Sequence, residues 1–323
     1  MPDGLYISLE LTAGSQTTRL RFASWDKPEL QRMVGFWQIA SGRASRGENP
    51  GAGPMLPLSG PIGSNAALVP RVALSASLHA MANADGQANE LELAEVERML
   101  GGGTSVDEGA SFLRQRGVDG LLAGLNAALN PAQKRCLLAN LLGVAMVDGL
   151  LRSAEVTLAD RFKSALAVSD AEFEGIHEVL LAKYSLAVFG EEAGADSIRI
   201  EPVPLTIFCA AILALVEADG AAADEEQEAQ MRLLDDPATW EAAETLWAER
   251  GLEGLLVCLD RLNRAQQRCL LANLVAVGIC DGWLRTAEQE LLDGFRRAMA
   301  FSPEEYDALY QVLLAKEDLS AFG

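Results

Sequence analysis

One long segment of this chain occurs twice, and the repeat governs every other reading. Arg135–Glu155, RCLLANLLGVAMVDGLLRSAE, returns at Arg268–Glu288 as RCLLANLVAVGICDGWLRTAE. With position 134 set against 267, an offset of 133, 14 of 22 residues are identical. VLLAKYSLAVFG at 179–190 and VLLAKEDLSAFG at 312–323 share that offset. A unit of about 120 residues is therefore present twice. Each unit also divides in half. The pattern D-G-x5-E appears four times, as Asp85/Glu92, Asp148/Glu155, Asp219/Glu226 and Asp281/Glu288, each at the end of an apolar helical run.

The periodicity around these motifs is helical throughout 70–323. A helix over Val72–Ala84 is followed by the Asp85-Gly86 turn and a second helix from Asn89 to Leu100. Helices at 106–115 and 118–129 come next, then one opened by Asn130-Pro131 that runs to Val147. Helices near 153–167 and 170–184 complete the first unit. The second unit repeats the order, with starts at Asp224, Thr286 and Ser302-Pro303. The expected fold is all-α: two tandem helical bundles at 70–190 and 205–323, each with pseudo-two-fold halves. Residues 1–40 differ. Leu5, Ile7, Leu9 and Leu11 alternate with polar neighbours, and Thr18–Phe22 alternates again, which reads as a β-hairpin followed by a short helix with the apolar face Leu30, Met33, Val34 and Trp37. That face is expected to pack on the body of the protein. The stretch 41–69 is a Gly/Pro-rich linker.

Charge narrows the function classes. A formal net charge of −20 argues against nucleic acid, because phosphate binding needs Lys and Arg to displace counterions. The same charge suits cations and basic protein partners. The five cysteines are odd in number and lie in apolar helices, as expected of buried thiols in a reduced compartment. No h-region marks a signal peptide, and the apolar run Val203–Val216 ends at Glu217, too short to span a bilayer. The expected location is cytoplasmic.

The repeated acids have two readings. In the first, the Gly after each Asp permits a left-handed turn, the Glu falls in the first turn of the next helix, and the two carboxylates face each other across a helical hairpin. Such oxygens suit Ca²⁺ or Mg²⁺. The spacing matches the back half of an EF-hand loop, but the front half is apolar, so these are not EF-hands. In the second reading the Glu caps the helix behind it, as Asn89-x-x-Glu92 suggests, aided by the helix dipole. Capping does not explain why Asp precedes Gly each time, since a carboxylate opposes the dipole at a helix C-terminus.

The element Ala84-Asp85-Gly86 with Glu92, paired with Asp148-Gly149/Glu155 and repeated as Ala218-Asp219-Gly220/Glu226 and Asp281-Gly282/Glu288, resembles the tellurite-resistance TerB family. The resemblance covers about 70–190 and 205–323. It implies a compact helical bundle whose acidic pairs converge on a divalent-cation site. Asp85, Glu92, Asp148 and Glu155 would form the first site, and Asp219, Glu226, Asp281 and Glu288 the second. Ca²⁺ or Mg²⁺ is the expected ion. The family is associated with stress-response and membrane-peripheral assemblies, and related domains occur in membrane-anchored J-domain co-chaperones. Protein partners, and peripheral membrane association through a partner, are therefore expected. The residue after each Asp-Gly varies here, and the tandem arrangement behind an N-terminal extension also departs from the pattern. The alternative is a metal-free adaptor that binds a partner through its N-terminal arm and helical surfaces.

Asn140 and Asn273 sit mid-helix among leucines and are expected to hydrogen bond across a helix pair. Arg152 and Arg285, three residues before Glu155 and Glu288, read as plain surface ion pairs, with neutralisation of the acids as the lesser alternative. His79 and His177 are the only histidines and are not repeated. With no nucleophile beside a base and no Gly-rich phosphate loop, the expectation is a non-enzyme.

Overall fold

The computed structural model describes residues 5–13, 16–24, 68–86, 88–101, 104–149, 151–190, 202–218, 224–280 and 284–322. The short helix and linker expected between residues 26 and 65 lie outside these, as do Asp219 and Asp281, and of Glu226 only the backbone is described. The chain divides into two units, residues 1–65 and 66–323. In the first, Leu5–Ala13 (β1) and Gln16–Ser24 (β2) pair antiparallel, with Ile7 opposite Phe22 and Leu9 opposite Leu20.

The second unit is all-helical among its described residues. The first repeat supplies α1 (Pro70–Ala82), α2 (Glu90–Leu100), α3 (Thr104–Ala128), α4 (Pro131–Met146), α5 (Ser153–Leu166), α6 (Asp170–Tyr184) and a 3-10 turn at Leu186–Phe189. The second supplies α7 (Pro204–Val216), α8 (Asp224–Leu233), α9 (Pro237–Cys258), α10 (Arg264–Gly278), α11 (Thr286–Ala298), α12 (Pro303–Glu317) and a 3-10 turn at Leu319–Phe322. Proline begins α1, α4, α7, α9 and α12, where its fixed φ suits the helix and its missing N–H has no partner to lose. The break expected after residue 115 is a kink inside α3 at Gly117, where φ is 67°; α9 kinks in the same way at Gly251, where φ is 57°.

The helices α4 and α10, which carry the long repeat, form the centre. Every residue from Cys136 to Met146 and from Cys269 to Val275 is buried. A helix buried around its whole circumference needs neighbours on every side. Those neighbours come from both repeats: α6 packs on α4 and on α10, and α12 packs on α10 and on α4. The two repeats are thus interlocked through their last helices.

The polar residues of the repeat hold that interlock. Asn140 Nδ2 donates to the Lys316 carbonyl at 2.7 Å, and Asn273 Nδ2 donates to the Lys183 carbonyl at 2.9 Å. Each also returns a bond to its own helix, at Cys136 O and Cys269 O, both 2.9 Å. The expected bond across a helix pair is present, and the pair it joins spans the repeats. Gln133 and Gln266 act in two places. Each completes a capping box with Asn130 or Asn263, and its amide donates to Ala321 O at 2.8 Å or Val188 O at 3.0 Å in the opposite repeat. Because the bonds are reciprocal, Asn140→Ala and Asn273→Ala should each lower the unfolding free energy by a similar amount, about 1–3 kcal/mol for a buried carbonyl left unpaired. Urea unfolding measures it; a negligible loss in either variant would remove the interlock from the account.

Candidate acidic site

The site is built from two hairpin turns of the first repeat. After α1, backbone bonds from Ala84 N to Met81 O at 2.9 Å and from Gly86 N to Asn83 O at 3.1 Å close the turn. After α4, Gly149 N donates to Met146 O at 2.9 Å. Gly86 and Gly149 have φ of 84° and 77°, a region glycine enters without strain. The residues before them, Asp85 and Asp148, are thereby placed at two adjoining helix ends. The following helices begin with acids in their first turn. Glu92 Oε2 accepts from Asn89 N at 3.2 Å, and Glu155 Oε2 accepts from Arg152 N at 2.6 Å.

Capping uses one oxygen of each glutamate. The other oxygen turns inward, and there the halves of the repeat meet on one side chain. The Arg152 guanidinium lies 2.7 Å from Asp148 Oδ2, 3.2 Å from Glu92 Oε1, 3.5 Å from Glu155 Oε1 and 3.6 Å from Asp85 Oδ2. Asn89 Nδ2 adds bonds to Glu92 Oε1 at 2.7 Å and Asp148 Oδ2 at 3.1 Å, tying one hairpin to the other. Arg152 is therefore no plain surface ion pair. The turns bring four carboxylates within reach of one arginine, whose side chain is only 35% exposed, and its fork of donors suits several oxygens at once.

One guanidinium does not balance four carboxylates, and burial makes the shortfall felt. Glu92 and Glu155 are 1% and 2% exposed. Burial pushes both carboxyls above the usual glutamate range. The capping N–H bonds pull the other way, and the charge of Asp148 beside Glu92 and of Glu92 beside Glu155 adds to the rise. The bond to Asp148 raises the Arg152 guanidinium further. Among the described residues, no group of three or more His, Cys, Asp or Glu side chains has the spacing of a metal's donor set. The four inward oxygens converge on the arginine instead.

In the second repeat the same cap is present. Glu288 is 1% exposed and accepts from Arg285 N at 2.7 Å, and Arg285 Nη1 lies 4.0 Å from its other oxygen. The positions of Asp219 and Asp281, and the side chain of Glu226, lie outside the described residues. Of the eight acids expected to form two sites, Asp85, Glu92, Asp148 and Glu155 are brought together, and Glu288 occupies the place of Glu155.

Arg152 and Asn89 are the two residues of the cluster that the sequence undervalued. Arginine satisfies no N–H at a helix N-cap, so R-x-x-E at the start of a helix in both repeats is a sign that the side chain serves elsewhere. Burial pushes the thiols of Cys136, Cys209 and Cys269 up to about 12, away from the thiolate form that reacts.

Residues 71–178 match the family model described as tellurite resistance protein TerB. The matched stretch begins in α1, ends in α6 and contains the whole acidic cluster. No curated protein and no solved structure matches the chain. No helix among the described residues is long and apolar enough to cross a membrane.

Proposed function

We propose that residues 66–323 form a non-enzymatic binding module of the TerB type, a tandem of two such units that takes up a hard divalent cation and recruits protein partners. The observation that carries this reading is the imbalance in the acidic cluster. Four inward carboxylate oxygens share one guanidinium, and two of those carboxylates are buried and held above their ordinary range. Asp85, Glu92, Asp148 and Glu155 would hold Ca²⁺ or Mg²⁺ in the first repeat, with Arg152 giving way. Asp219, Glu226, Asp281 and Glu288 would do so in the second. Hard oxygens and no sulfur or imidazole fit either ion. The family's stress-response setting, cytoplasmic location and peripheral membrane association through a partner belong to the same reading.

A metal-free structural adaptor is the second reading, and the contact of Arg152 with all four acids favours it. Thermal unfolding at fixed ionic strength separates the two. Binding to the folded state alone adds about 2.7 kcal/mol when free cation is a hundredfold above Kd. In the cation reading, Ca²⁺ or Mg²⁺ raises the unfolding midpoint of the wild type. Asp148→Asn combined with Glu155→Gln abolishes that rise, while the new side-chain amide still caps α5 through its oxygen. No rise at millimolar cation would leave the acids as caps around a permanent arginine.

A further inference from the structure

A second charged site lies between the repeats, and its sign is opposite to that of the chain. A cavity of about 180 Å³ there carries Glu95, Arg98, Lys183, Arg232, Lys316 and Glu317 on its wall. Four of these are cationic and two are anionic, in a protein of formal net charge −20.

The repeat explains the excess. Its wall is made of corresponding positions: Arg98 and Arg232 on α2 and α8, Lys316 and Lys183 at the ends of α12 and α6. On one side the cations are matched. Arg98 forms two 2.8 Å bonds with Glu95, and Lys316 lies 3.5 Å from Glu95 and 3.2 Å from Glu317. On the other side both carboxylates are replaced. Ala229 stands where the register places Glu95, and Tyr184 stands where it places Glu317. The Lys183 ammonium sits 4.1 Å from the centre of the Tyr184 ring, and neither Lys183 nor Arg232 makes an ion pair among the described residues. Arg232 is exposed, so the cavity can be reached from solvent.

We propose that this cavity binds a small phosphate-type dianion, free or as the head group of a small monoester, between Lys183 and Arg232. Lys183 also feels Glu95 and Glu317 across the cavity, but four cations against two carboxylates leave an excess that matches two negative charges. The arginine fork suits a pair of oxygens on one centre, and the lysine supplies a mobile point charge. Val147, Leu233 and Val277 on the same wall leave room for a short apolar tail. The volume is below that of a drug-sized pocket, which limits the ligand to a small one.

Isothermal titration of the full chain with inorganic phosphate and with glycerol 3-phosphate, at ionic strength held constant with chloride, tests this. Saturable binding of at least one is expected. The tighter of the two identifies a free ion or a monoester as the source. Arg232→Gln should weaken binding by about tenfold or more, the usual size for a lost charge-assisted bond. Ala229→Glu, which restores the carboxylate found on the other side, should abolish it. Arg232 lies at the surface, so its variant keeps the fold, checked by circular dichroism. No saturable binding of either probe, or binding that Arg232→Gln and Ala229→Glu leave unchanged, overturns the proposal.

Discussion

Replacing Lys316 with methionine should lower the unfolding free energy by about 3–5 kcal/mol, because it removes one partner from a buried ion network. Lys316 is 2% exposed, and its carboxylate neighbours Glu95 and Glu317 are 12% and 20% exposed. Burial disfavours charge on all three. For Glu95 the bidentate Arg98 and nearby Lys316 outweigh that penalty and hold the carboxyl well below its ordinary range. Glu317 is lowered in the same way by Lys316 and Arg98, and Lys316 is raised by Glu317, Tyr184 and Glu95 against the same burial. Methionine keeps the length of the side chain beside Gly143, where a Cβ would come within 2.9 Å of Lys316 Cε. The loss is therefore one of charge and not of volume. The signs set the pH window. Lowered carboxyls stabilise above their unfolded values near pH 4 and lose that contribution as pH falls; the raised lysine stabilises below about pH 10 and loses it above its own raised value. The gap between wild type and Lys316→Met should thus be full at pH 7 and narrow as pH falls below about 4. Urea unfolding at pH 7 and pH 3 measures it, and equal stability at pH 7 would remove the network from the account.

Arg152→Gln should destabilise the cation-free protein at pH 7 as well, but through carboxyls whose folded-state values are raised rather than lowered. Burial holds Glu92 and Glu155 above the ordinary glutamate range, and the guanidinium adds to the capping N–H bonds that restrain them. A carboxyl raised in the folded state contributes stability below its unfolded value and loses it as pH rises through the folded value. Without Arg152 that loss grows. The variant should be close to wild type near pH 4 and less stable at pH 7, so its deficit, like that of Lys316→Met, shrinks toward acid. Added Ca²⁺ should recover the variant more than the wild type. Midpoints recorded across this pH range, with and without Ca²⁺, check each part; a deficit equal at pH 4 and pH 7 would mean that Arg152 contributes packing alone.

These two arginine- and lysine-centred networks were legible in the sequence to different degrees. Helix order, the Gly86 and Gly149 turns and the caps at Asn89, Asn130 and Ser302 follow from local chemistry, since each signal lies within four residues of the bond it makes. The repeated turn made the facing of each Asp with its Glu readable, and the convergence of Asp85, Glu92, Asp148 and Glu155 followed from the resemblance to the TerB family. The arginine at its centre was not. A side chain three residues before a glutamate looks like any i,i+3 pair until the second hairpin arrives from 60 residues away. The interlock was hidden for a different reason. VLLAK ends both repeats, so the sequence is equally consistent with Lys183 packing on its own α4 or on α10, and only the Asn273 bond to the Lys183 carbonyl decides. The charge asymmetry of the cavity then depends on that crossing, because it brings α2 to α12 and α8 to α6.

In the cation reading proposed above, Arg152 is the counter-charge of the acidic cluster in the absence of the ion. Calorimetric titration of Ca²⁺ into the metal-stripped full chain, wild type beside Arg152→Gln, tests it most directly. Saturable binding to both is expected, tighter in Arg152→Gln because the ion no longer displaces a guanidinium bound to four carboxylates. Absence of binding in Arg152→Gln, with the variant folded, would contradict it and leave these acids as helix caps held by an arginine.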